Sequence, residues 1–387
     1  MRMIVLGGAG MVGSVVVRDL VRVPGVREVA VADFDFETAQ KKAAELGLPA
    51  SAKAADIHDR ASLVGLLKGY DVAVNCVGPF YRNVPKVLEA CLESRVHYVD
   101  MCDDYDASER LLGYHDRCRQ ANITAIISLG ASPGFTNLCG LLGARKMEPQ
   151  EIHTAWVESI SDVGGGFATV WHGIHMAHGE VPQFLDGQWT KVPALSGAEE
   201  LEFPAPLGRY PVYYLGHSEP VTLPRYIRGL KVATNKGNMW PSEIDLKTIL
   251  KPFIDLGLGD TDTIRIEGRE IVKRDFLVQY LIQAVLAQPA GQEPEEPQNA
   301  VSFMARVDVK GAANGKKVHH VYTAAMDTNE GTGGSAAYGA WSIASGKITA
   351  RGCFAPEGCI DPEDYFRHMA SKGIHLYETR AMTERYT

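Results

Sequence analysis

Apolar and polar positions follow two different textures along this chain. Up to about residue 147, short apolar runs at 3–6, 28–33, 50–56, 70–77, 96–101 and 123–129 read as strands. The stretches between them, at 12–21, 38–46, 61–67, 84–94 and 107–121, carry apolar residues at helical spacing. Regular alternation of this kind predicts an α/β fold, a doubly wound parallel sheet of six strands with helices on both faces, over 1–147. Beyond it, strand-like pieces of mixed polarity at 152–160, 210–215, 263–266, 300–309 and 317–325 predict a second, mixed α/β (α+β) domain over 148–330. Ala313-Asn314-Gly315 reads as the turn between the last two pieces, and 288–298, rich in Pro, Glu and Gln, as a solvated loop. The small-residue stretch 331–345 is helix-compatible, and Asp361-Pro362-Glu363-Asp364 supplies an N-cap, a proline at N1 and first-turn acids. The region 331–387 is therefore expected to be helical and to return to the first domain.

The first strand runs directly into Gly8-x-Gly10-x-x-Gly13 and then into a helix. Such a turn seats a dinucleotide pyrophosphate: Gly8 permits the tight turn, Gly10 lets backbone near the phosphates, and Gly13 lets the helix pack on the strand. The free N–H groups at the helix start, near Met11 and Val12, attract the anion. Asp33 ends the second strand where a ribose-binding carboxylate is expected, and its charge repels a 2′-phosphate. NAD is therefore favoured, with NADP as the alternative; a simple Asx-type turn is the other reading of Asp33.

Composition narrows the classes of partner. Lysine and arginine total 39 against 47 acids, a net charge of −8 with no long basic run, which argues against nucleic acid. The N-terminal apolar run is short and glycine-broken, so neither a leader nor a membrane span is expected, and the cytoplasm is the expected compartment. Seven cysteines without a CxxC pair read as reduced thiols.

Several stretches, in order, resemble the saccharopine dehydrogenase-like oxidoreductases, most closely the L-lysine 6-dehydrogenase type. They are Gly8 to Gly13, Asp33, Asp71-Val72-Ala73-Val74-Asn75-Cys76-Val77-Gly78-Pro79-Phe80, Val96-His97-Tyr98-Val99-Asp100, Gly130-Ala131-Ser132-Pro133-Gly134-Phe135-Thr136-Asn137 and Gly331-Thr332-Gly333-Gly334. The resemblance is good over the first ~150 residues, moderate over the last ~60 and poor between them. It implies a Rossmann domain joined to a mixed domain, a substrate held in the cleft between, and hydride transfer at an amine-bearing carbon of an amino acid such as lysine. The alternatives carried with it are reductive condensation of the saccharopine or carboxynorspermidine kind and a non-catalytic dinucleotide sensor.

Candidate site residues follow from strand ends and from the resemblance. Asn75, Cys76, Val77, Gly78 and Pro79, with Asp56, Pro133 and Asn137, are assigned to the cofactor, and Phe80 and Tyr81 to a wall against nicotinamide or substrate. Asp100, Asp103 and Asp104 cluster after the fifth strand, where they would attract an amine or take its proton; capping of the next helix is the structural alternative for the last two. Asp100, Asp104 and His217 are the candidate proton-handling residues. Arg225, Arg228 and Lys236 are candidate partners for a substrate carboxylate, or else plain surface cations. His172, His175 and His178 look like a metal box, yet a three-residue step drifts around a helix, so no metal is expected. Cys76 lacks a local base and is not read as a nucleophile. The expected assembly is a homodimer with a small amino-acid substrate.

Overall fold

A computed structural model of the chain describes residues 1–159, 166–240, 245–284 and 301–382. Its first part runs β1 (Arg2–Leu6), α1 (Met11–Val21), β2 (Glu28–Asp33), α2 (Phe36–Leu46), β3 (Ala50–Ala54), α3 (Arg60–Leu67), β4 (Val72–Asn75), α4 (Phe80–Ser94), β5 (His97–Asp100), α5 (Tyr105–Leu112), α6 (His115–Gln120), β6 (Thr124–Ile126) and α7 (Phe135–Ala144). These strands pair in parallel in the order β6-β5-β4-β1-β2-β3. Their apolar runs are unbroken because both faces are covered: Met3 to Leu6, Val29 to Ala32 and Val72 to Val74 are fully buried.

The second part continues with β7 (Glu148–Ser159), α8 (Phe167–Met176), β8 (Glu180–Leu185), β9 (Gln188–Pro193), β10 (Glu199–Glu202), β11 (Arg209–Tyr214), α9 (Glu219–Tyr226), β12 (Val232–Trp240), α10 (Leu246–Asp255), β13 (Thr263–Ile266), β14 (Arg269–Val272), α11 (Lys273–Ala284), β15 (Phe303–Ala313) and β16 (Lys316–Met326). It ends with α12 (Thr328–Ala344), β17 (Gly352–Phe354), α13 (Pro362–Ser371) and β18 (Tyr377–Met382). A mixed sheet runs β10-β11-β12-β7-β15-β16-β18, with β8 paired to β12 and β9 to β8. Within it β12 and β7 are parallel, and β15 and β16 form the expected hairpin. Asn314 and Gly315 at its tip have φ of 52° and 74°, the positive values a two-residue turn of this hand requires.

Three expectations change. The helix read over 107–121 breaks into α5 and α6 around Gly113-Tyr114. Helix α4 starts upstream of Val84, at Phe80, and keeps Pro85 inside; the Tyr81 carbonyl that Pro85 cannot bond accepts from Arg110 at 3.4 Å. The parallel sheet has a seventh strand, since β17 joins β6 from far along the chain. β18 likewise joins β16, so the chain after residue 330 reaches both sheets. Helix α12 packs against α1, and Gly333 permits it, because a Cβ there would lie 2.7 Å from that of Val15. Residue 160 and the loop read over 288–298 lie outside the described residues. All seven cysteines are free, and among the described residues no helix is long and apolar enough to cross a membrane.

Candidate active site

The strands of the parallel sheet point their carboxyl ends at one edge, and the loops leaving that edge build one wall of a cleft. After β1 the left-handed turn falls on Gly7, with φ of 73°, one residue before the expected Gly8. A Cβ on Gly13 would collide with the Gly7 carbonyl oxygen, so only glycine lets α1 start this close to the loop. Gly10 is the N-cap of α1 and uses no side chain, which leaves the first amides of the helix facing outward for a pyrophosphate. Asp33 closes over this turn: Oδ2 accepts from the Ala9 amide at 3.1 Å and Oδ1 from the Asp35 amide at 3.2 Å. Asp56 is exposed beyond β3 and accepts from the His58 amide.

The next three loops are held by buried side chains that accept backbone N–H groups. Asn75 donates to the Tyr98 hydroxyl and accepts from Val77, which sets the course of Cys76 to Pro79. Asp100 is fully buried, and its Oδ1 accepts from Cys102 at 2.9 Å and Ser128 at 2.8 Å, tying the end of β5 to the loop after β6. Burial pushes its carboxyl up to about 6. Asn137 caps α7 by accepting from Gly134, and donates to Thr222 and to Glu357. Burial pushes the Glu357 carboxyl up to about 7. Pro133 is buried beside this cap.

Opposite these loops, α8 and the segment before α9 bring two histidines to the Asp103-Asp104 turn. His172 Nδ1 lies 2.8 Å from Asp104 Oδ1, and its Nε2 lies 3.3 Å from Asp103 Oδ2. Asp104 also accepts from the Tyr81 amide at 3.0 Å. His217 Nδ1 lies 2.6 Å from Glu219, a fully buried carboxylate that takes further hydrogen bonds from Ser132 and Thr136. The two rings meet edge to face with centroids 5.8 Å apart. Burial works against a charged His172, but Asp103 and Asp104 outweigh it and push the imidazole up to about 9. Burial also raises Asp103, while Asp104, despite burial, is held low by its hydrogen bond from His172.

These groups line a cavity of about 320 Å³. Its parallel-sheet side carries Met11, Val12, Cys76, Gly78, Phe80 and Ser132; its other side carries Trp156, Glu158, Met239, Leu246, Leu250 and Phe303. The structure thus brings His217 and Phe80 onto the cavity, and adds Asp103 and His172. Asp100 and Asp104 sit behind that surface, where they hold backbone and an imidazole. Tyr81 turns away and stacks on Trp171, with ring centroids 3.7 Å apart. Arg225 pairs with Glu109, Arg228 is exposed and Lys236 pairs with Glu199; none of the three lines the cavity. His175 and His178 pair instead with Asp106 and Asp260. Burial raises the Cys76 thiol far above its usual range, so it stays protonated and is a poor nucleophile.

A model of the saccharopine dehydrogenase NADP-binding domain matches residues 3–126. The apo saccharopine dehydrogenase (L-Glu forming) of Saccharomyces cerevisiae superposes with a TM-score of 0.70 at 16% identity, covering 98% of this chain and 99% of that one. Residues 3–126 thus resemble the NADP-binding domain of saccharopine dehydrogenases, and the whole chain shares the fold of that yeast enzyme. The match supports an NAD(P)-binding Rossmann sheet, joined here to a second mixed sheet. Carboxyaminopropylagmatine dehydrogenase of Synechocystis sp. is 25% identical to it, covering 98% of each chain. Carboxynorspermidine synthase of Vibrio cholerae is 27% identical over 62% of this chain and 58% of its own.

Proposed function

We propose that this protein interconverts an amine and an imine on a small amino compound, with NAD(P) supplying or taking the hydride. The observation that carries the reading is the convergence of Asp103, His172 and His217 on one cavity beside the glycine turn. A bound nicotinamide would supply the hydride chemistry at the amine-bearing carbon; His217 Nε2 would take the proton that the nitrogen loses as C=N forms and return it in the reverse direction. Glu219 and Asp104 orient the two imidazoles, Asp103 attracts the amine, and Asp100 holds the loops on which they stand. The first amides of α1 would hold the pyrophosphate and Asp33 the adenosine ribose, and the Asp33 carboxylate favours NAD over NADP.

Two readings of the substrate compete. The relatives carry names of compounds in which one nitrogen joins two carbon chains, which supports reductive joining of an amine to a carbonyl compound ahead of lysine 6-dehydrogenation. The cavity supports an amine as well: among its described lining residues there is no Lys or Arg. Cofactor consumption, followed for NADH and NADPH, tests both. Oxidation that needs an amine and a carbonyl compound together supports condensation, and NAD reduction by lysine alone supports the lysine reading. No turnover with any pair would leave a dinucleotide-binding sensor. Light scattering tests the homodimer.

A further inference from the structure

The Asp103, His172 and His217 cluster has a feature that proton transfer does not require. Each imidazole has its Nδ1 held by its own carboxylate, Asp104 at 2.8 Å and Glu219 at 2.6 Å. With Nδ1 carrying the donated proton, each Nε2 is the atom left to act as a ligand, on His172 once a cation displaces the proton it shares with Asp103, and Asp103 adds a carboxylate oxygen. One ligand atom from each of the three lies within 4.8 Å of the others. Three acceptors this close together need a positive charge among them. In the metal-free cluster the His172 imidazolium, paired with Asp103 and Asp104, supplies it; no Lys or Arg is among the described lining residues, and Glu158 adds a fourth carboxylate to the surroundings.

Spacing separates the cations that could sit there. Acceptors around an ammonium at hydrogen-bond distance stand about 4.7 Å apart. Ligands 2.0–2.1 Å from a tetrahedral metal ion stand about 3.4 Å apart. His172 Nε2 and Asp103 Oδ2 stand at 3.3 Å, an ion-pair contact that two ligands of one metal ion could keep once the ion replaced the shared proton, and the open cavity leaves a fourth position for water or substrate. The carboxylate behind each imidazole is the outer arrangement that fixes tautomer and raises basicity in histidine metal sites. We propose that Asp103, His172 and His217 form a binding site for a divalent cation of the zinc class, open on the cavity side. The three histidines in a row in the sequence are thus the wrong set: only His172 takes part, with His217 from a distant segment, while His175 and His178 are paired elsewhere.

The site overlaps the one proposed for the amine, but its test needs no substrate. The full chain, dialysed against chelator, is titrated with Co²⁺ and the visible ligand-field bands are followed, then displaced with Zn²⁺. One cobalt per chain with tetrahedral-type bands is expected. His217→Asn and Asp103→Asn should abolish the bands, Glu219→Gln should weaken binding about 10–100-fold, and His175→Asn and His178→Asn should leave it unchanged. NADH binding by each variant checks that it is folded. Should the ligand variants not fold, zinc must still raise the melting temperature of the unaltered chain in a saturable way. Absence of saturable uptake by the unaltered chain, or uptake indifferent to His217→Asn, overturns the site. Amine-dependent cofactor turnover without cobalt binding overturns this inference alone; cobalt binding without turnover for any amine overturns only the proposed reaction.

Discussion

The two walls of the cavity are built by different means. On the parallel-sheet side, position is set by main chain: Asp33, Asn75, Asp100 and Asp104 each accept backbone N–H groups and hold the loops that face the cofactor. On the mixed-sheet side the wall consists of side chains carried by strands and helices, among them Trp156, Met239, Leu250 and Phe303. A main-chain wall tolerates few substitutions, because losing one acceptor strands buried donors. A side-chain wall can be recut residue by residue without moving the cofactor. A shared nicotinamide site with divergent substrates is what such a division permits.

The sharpest way to break that division is at the residue where the walls meet. His217→Asn is expected to cut turnover about 10²–10⁴-fold while NADH affinity, measured by fluorescence, stays put. An equal fall in both would mean the walls are not separable. On the main-chain side, Asp100→Ala strands the Cys102 and Ser128 amides and should cost about 2–5 kcal/mol in urea denaturation. Asp100→Asn keeps the acceptor and should cost much less; a large loss of turnover with an unchanged denaturation midpoint would instead move Asp100 into the chemistry.

Glu357, behind the α7 cap, adds a pH signature. Its folded-state pKa is raised from 4.5 to about 7, so between those values the native state keeps a proton that the unfolded chain releases. Stability from this group is therefore greatest below pH 4.5, declines as pH rises and is fully lost above 7. Glu357→Gln should remove the decline, gaining on the order of 3 kcal/mol at pH 8 and far less at pH 5. Equal gains at both pH values would mean the carboxyl is not buried neutral. The smallest effect is expected on the side-chain wall, where Met239→Leu conserves volume and should cost under about 1.5 kcal/mol. Its mark should be a shift in KM for the amine partner with NADH affinity unchanged.

The same division explains what could be read from the residues alone. Strand β2 appears in the sequence at its observed limits, 28–33, because a strand buried on both faces writes itself as an unbroken apolar run. Strand β9, by contrast, is exposed over most of its length, with Trp189 51% accessible, and β10 reads Glu-Glu-Leu-Glu, so neither carries a strand signature. Helix α8 carries a glycine and apolar residues around much of its circumference and hides its own register. The glycine turn and Asp33 were legible because their geometry is local. The meeting of Asp103, His172 and His217 was not, since it depends on how α8 and the segment before α9 lie across the β5 loop. The three cations at 225, 228 and 236 had the right charge, but sequence holds no sign of which face of the fold they would occupy.

Strands β17 and β18 carry a consequence for how the molecule is assembled. Each is the outermost strand of its sheet, and each comes from beyond residue 350. During synthesis β6 and β16 therefore emerge long before the strands that will cover them, and both are left as bare, adhesive edges in the meantime. The two halves of the molecule can start to fold separately but must finish together. A lesion near residues 352–354 or 377–382 would then be felt less as a local loss of stability than as a failure of both halves to reach their soluble form.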